Sequence, residues 1–530
     1  MISFWKHIGQ NVISWTPPLL VFLFIETYYK AHSVDTFIFY SLYPLFIILL
    51  TASIKDQLIK KIFFYFGNII LVVAVFLDIC HFLIYRTKIS ESTFFIIFET
   101  NIREASEYLE VYLSYKILLV ILILITSYLL SVLLFKRNQL LSILSEKVNN
   151  NPSFKFIIFA LAILFFAFYR NSFLPYAAIR SYSEYNNQLN SLQDTYNDKL
   201  GENFKNAHLL SDSLKQTIVV IIGESTSRSH MSIYGYYRNT TPLLKSKEQE
   251  LIIYEDVISP NAHTLESLTK VLTLGTNKEP EKITQGSIFQ LFNSVDFKTY
   301  WISNQRPLGN YETGLTAIAR SSDELVFANT NYNNFDEVLF SPLKNALKQK
   351  NKNKLIFVHL MGTHIKYDER YPEGFSKFND IPKTKFDSPL AHNTINTYDN
   401  AVLYNDFIVS SIIDITEQSN NNSSVVYFSD HGEDVYSSSN KAFHSEVNAT
   451  KQMYDIPFIV WMSDKFKKDR KKLIFDNKRK LNTENFIYSL SDLAGIKFDN
   501  FDESLSIFNT NYTPKNRTIL KSKTYEEYFK

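Results

Sequence analysis

The chain is 530 residues long, too long for one ordinary domain, and its formal net charge of only +2 gives a nucleic-acid partner no electrostatic support. Its 44 Phe and 33 Tyr against 13 Gly are unevenly spread, with the apolar residues concentrated before about residue 175. A single cysteine, Cys80, excludes a disulfide framework or a Cys-based zinc site within the chain.

Taken in chain order, five segments are apolar over the roughly 20 residues that a bilayer crossing needs. They are residues 12–29, 36–54, 62–85, 117–135 and 154–174. The first holds Pro17-Pro18 and has no small-residue cleavage pattern, so it reads as a retained helix rather than a signal peptide. Lys55, Lys60 and Lys61 follow the second span, and Lys136, Arg137 and Lys147 follow the fourth. The positive-inside rule makes those loops cytoplasmic and puts residues 86–116, and all residues after Leu174, outside. Glu26, Asp78 and His81 are ionisable groups within the spans and read as structural. Residues 1–174 thus form a five-helix membrane domain, and 175–216, polar and without Pro or Gly through most of its length, form an amphipathic linker.

From residue 217 to 530, short β-branched runs alternate with helix-length polar segments. The runs are 217–222, 251–254, 298–302, 354–360, 424–428 and 458–461, with helical stretches expected over 265–272 and 401–417. That alternation predicts an α/β sheet, at least partly parallel, with its site beyond the carboxyl ends of the strands. Glu224 follows one strand end, Gly362-Thr363-His364 another, and Asp430-His431-Gly432 a third. Two acids and an imidazole on one sheet edge suit a zinc-like ion, with Gly432 permitting the turn.

GESTS, residues 223–227, resembles a nucleophile elbow, but Ser227 stands where the last glycine should be. Its hydroxyls read as caps for the next helix or as loop filler. Thr264 in NAHTLESLTKVLT precedes a strong helical pattern, where the helix N-terminus favours a phosphate. On spacing alone it reads as an N-cap, with a metal-activated nucleophile as the alternative.

The ordered set GES, YGYYRNTTPLL, HTLESLTKVLT, WISNQRPLG, HLMGTH, YDNAVLYND, SDHGED and FHSE resembles the membrane phosphoethanolamine transferases of the alkaline-phosphatase/sulfatase superfamily. The resemblance covers nearly the whole chain. It implies a sulfatase-like α/β domain with a mixed, mostly parallel sheet behind the helical anchor, in a bacterial inner membrane with the catalytic domain in the periplasm. Carried over by position, Glu224, Thr264, Asp430 and His431 match zinc ligands, and Thr264 is also the residue that becomes phosphoethanolaminated. His364 and His444 match histidines that contact the phosphoryl group or move protons. Asn304 and Gln305 match a headgroup-contact region, and Thr100 and Glu104, in FETNIREASEYLE, a lipid-contact segment. His263, His359 and His392 have no match and read as structural.

The resemblance further implies one Zn2+, with a second ion or another divalent metal such as Mn2+ left open. It implies a phosphatidylethanolamine donor and a lipopolysaccharide or other envelope-glycan acceptor, and a double displacement through a phosphoethanolamine-threonine intermediate. His364 and His444 as cations, or a second metal, would balance the negative ligands. The chain lacks the disulfides of many polymyxin-resistance members, and its NAHTLESLT and WISNQ forms look closer to members that modify core sugars. A phosphoglycerol transferase of the same superfamily is the alternative, followed by a periplasmic phosphodiesterase or sulfatase. The C/S-x-P-x-R context of a sulfatase is absent from the sequence.

Overall fold

The computed structural model describes residues 34–85, 88–100, 102–113, 115–136, 139–200, 203–210, 215–305, 313–329, 335–349, 353–419 and 422–530. The chain divides into two compact units, Met1–Asn186 and Asn187–Lys530.

In the first unit the described elements are all helices: α1 (Val34–Ala52), α2 (Gln57–Tyr85), α3 (Glu91–Glu99), α4 (Ile102–Tyr112), α5 (Tyr115–Lys136), α6 (Gln139–Asn150) and α7 (Pro152–Phe168), with α8 (Leu174–Tyr196) running across the division. Asn151 caps α7 by accepting from the Phe154 N–H, and Pro152 takes the first helical position, where a missing N–H costs nothing. Phe39 of α1 stacks on Phe165 of α7 with ring centroids 5.4 Å apart. The Tyr40 hydroxyl donates to Asp78, so this buried carboxylate of α2 has a structural partner.

Large apolar side chains such as Ile62, Phe66 and Leu133 remain outward-facing, as a lipid environment requires. Among the described residues, α1 and α2 are long and apolar enough to cross a bilayer. A third span results if residues 143–150 and α7, bent by 105° at the break between them, count as one. The expected count of five is therefore not reached among the described residues. The first expected span, with Glu26, lies outside them.

The second unit is built on a seven-stranded sheet of β1 (Thr217–Gly223), β2 (Leu251–Ile253), β3 (Phe297–Ser303), β4 (Glu324–Phe327), β5 (Asn353–His359), β6 (Ser423–Ser429) and β7 (Phe458–Met462). Their order is β2-β7-β6-β1-β5-β3-β4. Only β7 runs against the others, pairing antiparallel with both β6 and β2. The sheet is therefore mixed and mostly parallel. β1, β5 and β6 are buried along their whole length, and the continuous run TIVVII follows from apolar packing on both faces. One core holds Val220, Phe357 and Phe428 with α9 (Thr264–Val271), and the opposite core holds Val219, Val358 and Tyr427 with α10 (Pro389–Gln418). All six expected strands appear. β4 is additional, a four-residue edge strand too short to stand out from its surroundings.

The sheet register positions the site. Gly223 pairs with Ser429, Ile222 with His359, and Ser303 with His359. The residues that follow, Glu224, Asp430-His431 and Asn304-Gln305, consequently emerge on one edge.

Candidate metal and phosphoryl-transfer centre

Glu224, Asp430 and His431 are all buried, and each offers a ligand atom within 4.8 Å of the others'. His431 Nε2 lies 3.4 Å from Glu224 Oε1 and 3.4 Å from Asp430 Oδ2. The Thr264 hydroxyl lies 3.3 Å from both Glu224 oxygens and 3.4 Å from His431 Nε2. Four residues from three elements thus converge on one point.

The surrounding bonds orient these groups. His431 Nδ1 is 2.9 Å from the Gly432 carbonyl, which turns Nε2 toward the cluster. Asp430 Oδ1 accepts from the backbone N–H groups of Ser225 and His431 at 3.0 and 2.7 Å. Asp430 Oδ2, in contrast, is buried without a hydrogen-bond partner. A buried carboxylate oxygen without a donor requires an explanation, and a divalent cation supplies one. Two carboxylates, one imidazole and one hydroxyl form a donor set that fits zinc.

Burial raises the proton affinity of Asp430, and the Glu224 charge raises it further. For Glu224, burial acts in the same sense but is outweighed by the hydrogen bond and charge of His431, which hold it well below the usual carboxylate range. Burial depresses His431, yet the charges of Asp430 and Glu224 prevail and push it up to about 10. In the metal-free protein a proton on His431 thus does part of a cation's work.

Thr264 opens α9, and the N-cap is His263, whose side chain makes no capping bond. The cap reading of Thr264 therefore fails by one residue, which leaves its hydroxyl directed at Glu224 and His431. Ser267, one turn on, donates to the Asp430 carbonyl at 2.6 Å and pins α9 to the end of β6. The hydroxyls of GESTS do not cap a helix side chain to backbone. Ser225 donates to Glu224 Oε1 at 2.9 Å, Thr226 approaches the Glu224 carbonyl at 3.3 Å, and Ser227 meets Ser229 at 2.9 Å. They lace the ligand loop together.

Gly432 is needed for close approach rather than for a turn, because a Cβ there would lie 2.1 Å from the Gln452 carbonyl oxygen. Gly362 has φ +54°, and a Cβ would come within 2.7 Å of the Glu224 nitrogen.

Beyond the four converging residues, His444 stacks at 4.4 Å from His431, ring centroid to centroid, and its Nδ1 is 2.7 Å from Glu433 Oε2. Burial, then the neighbouring His431 charge, pushes His444 down to about 3, while burial pushes Glu433 up to about 8. Both shifts favour the uncharged forms of the pair. His431, Glu433 and His444 form a second group with metal-ligand spacing. Glu433 was available to sequence reasoning in SDHGED, two positions from His431.

His364 contributes electrostatically to Glu224. Gln305 Nε2 donates to Glu224 Oε2 at 3.0 Å and to the Leu360 carbonyl at 2.9 Å, so it holds a ligand. Asn304 turns its amide onto Asp336 at 2.8 Å. Asp336 also takes the N–H groups of Met361 and Gly362, and so organises the GTH loop with no sequence signal of its own. His263 packs 5.4 Å from His444, closer to the site than a purely structural reading implies. Thr100 and Glu104 belong to the first unit. Thr100 donates to the Ile96 carbonyl at 2.6 Å as the C-cap of α3, and Glu104 is on α4 with its side chain outside the described residues.

Residues 216–496 match the Sulfatase family. The phosphoethanolamine transferase EptC of Escherichia coli (strain K12) is 32% identical over a 554-residue alignment, covering 97% of this chain and 94% of that relative. The zinc complex of the C-terminal periplasmic domain of E. coli EptC superposes with a TM-score of 0.59 at 34% identity, over 61% of this chain and 95% of that one. The integral membrane lipooligosaccharide phosphoethanolamine transferase A of Neisseria meningitidis has a TM-score of 0.65 at 17% identity, a likeness of fold over 96% of this chain and 98% of that one.

Proposed function

The chain belongs to the sulfatase family and, within it, to the phosphoethanolamine transferases, and from that premise we propose which reaction its residues carry out. The donor is phosphatidylethanolamine, and the acceptor is a lipopolysaccharide, at lipid A or a core sugar. Thr264 Oγ attacks phosphorus, a new O–P bond forms, and the bond to diacylglycerol breaks, its oxygen leaving with a proton. An acceptor oxygen then attacks the phosphoethanolamine-threonine, and Thr264 recovers its hydroxyl. The catalytic unit, residues 217–530, works outside the inner membrane in which residues 1–174 anchor it, with 175–216 as the linker. The odd span number expected from the sequence is consistent with that placement.

Glu224, Thr264, Asp430 and His431 would hold the zinc ion. When bound, the ion lowers the hydroxyl pKa of its threonine ligand and offsets charge on the phosphoryl oxygens. Glu224 and His431 fix the Thr264 hydroxyl, and Gln305 fixes Glu224 in turn. The N-terminus of α9 favours the anionic phosphoryl group. His444, backed by Glu433, and His364 exchange protons with the leaving and entering oxygens.

One observation carries this reading: the Thr264 hydroxyl closes a ring with Glu224 and His431 beside the partnerless Asp430 Oδ2. Mass spectrometry of the enzyme trapped with membrane lipid tests it, with phosphoethanolamine expected on Thr264. A phosphoglycerol adduct there would establish the alternative transferase, and an unmodified Thr264 with the adduct elsewhere would remove the nucleophile.

A further inference from the structure

We propose that residues 377–390, with Tyr237, form a rim by which the catalytic unit rests on a phospholipid bilayer carrying anionic headgroups; the inference rests on the lipid donor proposed above. Ile381 and Leu390 are 78% and 68% exposed, more than any other large apolar side chain described in the second unit. Both stand on this one stretch, where water is a costly neighbour for them.

The stretch is pinned from behind. Arg238 donates to Asp380 Oδ1 at 2.8 Å, and Asn396 donates to the Asp380 carbonyl at 2.9 Å. Asn400 accepts from the main-chain N–H groups of Lys377 and Phe378, each at 2.8 Å. The Lys383 N–H donates to the Tyr237 hydroxyl at 2.8 Å, and Ser388 caps α10 by accepting from the Ala391 N–H. Ile381 and Leu390 are therefore held out by a bonded framework.

The rim stands on the site side of the sheet. Thr384 donates to the Tyr436 carbonyl at 3.4 Å, and Phe386 packs on the Tyr436 ring at 6.3 Å between centroids. Tyr436 belongs to a hairpin in which Asp434 and Val435 pair with Phe443 and Ala442, directly between Glu433 and His444. α10 ends at Gln418, just before β6 begins, so it runs against the parallel strands. Its Tyr398 hydroxyl donates to the Ser225 carbonyl and accepts from the Ser227 N–H, both at 2.8 Å, immediately past the end of β1. Residues 389–397 therefore overhang the carboxyl edge by up to about 13 Å at 1.5 Å per residue, with Leu390 near the tip. The carbonyls of Thr195 and Lys199 accept from Gln290 and Asn293, the latter just before β3 begins. The incoming chain thus runs toward the amino edge, and enters this unit from the rim side.

The chemistry of the rim is that of a headgroup layer. Lys377, Lys383 and Lys385 are exposed on it, with Lys383 over the Tyr237 ring at 4.8 Å and Lys385 over Phe386 at 5.1 Å. Of the acids on the stretch, Asp380 is taken by Arg238, and Asp387 meets His392 at 2.9 Å. The lysines are left to set the outward charge. Aliphatic groups reach the acyl boundary while ammonium groups meet phosphates, and tyrosine suits the interface between the two. A second copy of the chain seated here about a two-fold axis would set these lysines against their own counterparts.

The test places the full chain, with Cys80→Ser, in vesicles of phosphatidylethanolamine and phosphatidylglycerol that contain a doxyl-labelled lipid. An environment-sensitive dye is attached through Ile381→Cys or Leu390→Cys, with Lys468→Cys as the reference. Lys468 follows β7 at the opposite, amino edge of the sheet. Quenching is expected to be at least about twofold stronger at 381 and 390 than at 468, and to weaken when phosphatidylcholine replaces phosphatidylglycerol. Equal quenching at all three positions overturns the proposal. So does a dye signal at 381 that ignores the lipid and grows with protein concentration, which would assign the rim to a second copy. In turnover, Ile381→Asp is expected to raise KM for the bilayer donor about tenfold and to leave kcat/KM for a short-chain donor, monomeric in water, unchanged. Equal loss on both donors also counts against the rim. Lys383→Cys carries the dye should an aliphatic replacement fail to fold. Quenching is read without turnover, so strong quenching in an enzyme that transfers no phosphoethanolamine would sink the reaction and leave the rim standing.

Discussion

Two buried polar clusters in the second unit differ in one respect, their supply of positive charge. Around Asp399, Oδ1 meets His230 Nδ1 at 2.8 Å, while Oδ2 accepts from Arg238 at 2.8 Å and Tyr236 at 3.0 Å. Arg238 brings the charge the cluster needs and extends to Asn396 and Asp380. At the sheet edge, among the described residues, Glu224 and Asp430 both face His431, and Asp430 Oδ2 has no hydrogen-bond donor. The first cluster carries its own cation and serves as scaffold. Among the described residues the second is short of positive charge, a deficit that a divalent cation would fill.

The comparison is most directly broken at Thr264. Thr264→Ala should reduce transfer by about 1,000-fold or more while the chain stays folded, read as phosphoethanolamine on lipopolysaccharide by mass spectrometry. Retained transfer would remove Thr264 from the chemistry. Asp399→Ala should instead cost about 3–5 kcal/mol, because it strands Arg238 without its buried partner. Its signature is a lower Tm with the zinc stoichiometry of the folded fraction unchanged; loss of zinc without loss of stability would merge the two clusters into one.

Metal removal sharpens the contrast further. Chelation should withdraw about 2.7 kcal/mol of stabilisation relative to zinc at 100 times Kd. The folded-state proton affinity of His431 is raised, so that contribution is complete below its ordinary range and is lost as pH rises toward about 10. The raised Asp430 acts in the same direction. Metal-free protein should therefore lose stability on going from pH 7 to 10. Zinc affinity should fall on acidification, by up to about tenfold per pH unit for each proton displaced. Thermal melts with and without zinc across pH would show both, and parallel profiles would count against a proton standing in for the ion. The smallest effect belongs to Ser225→Ala, which removes one hydrogen bond to Glu224 at a cost of about 1 kcal/mol and weakens zinc about fivefold by titration.

How far the sequence disclosed this site varies with the range of the interactions involved. Glu224, Asp430 and His431 were legible because each directly follows an apolar strand run, and parallel strands deliver their ends to one edge. Thr264 was ambiguous, since an N-cap and a first helical residue look alike until backbone geometry separates His263 from Thr264. Asp336 was invisible, because its three bonds go to Asn304, Met361 and Gly362 across loops that no periodicity links. Gln305 was named, but its bond to Glu224 depends on β3 pairing with β5, a property of the assembled sheet. In the first unit, hydropathy marks where helices are apolar but not the 105° bend before α7, which Pro152 makes possible.

The pairing of Gly223 with Ser429 also orders events during folding. Ser225 and Asp430, joined by a hydrogen bond, stand 205 residues apart in sequence, so no local segment contains the candidate metal centre. Closing so long a loop precedes any reward from its contacts. A metal held by these residues would therefore not nucleate this unit; it would act as a latch, engaging only once β1, β5 and β6 lie side by side.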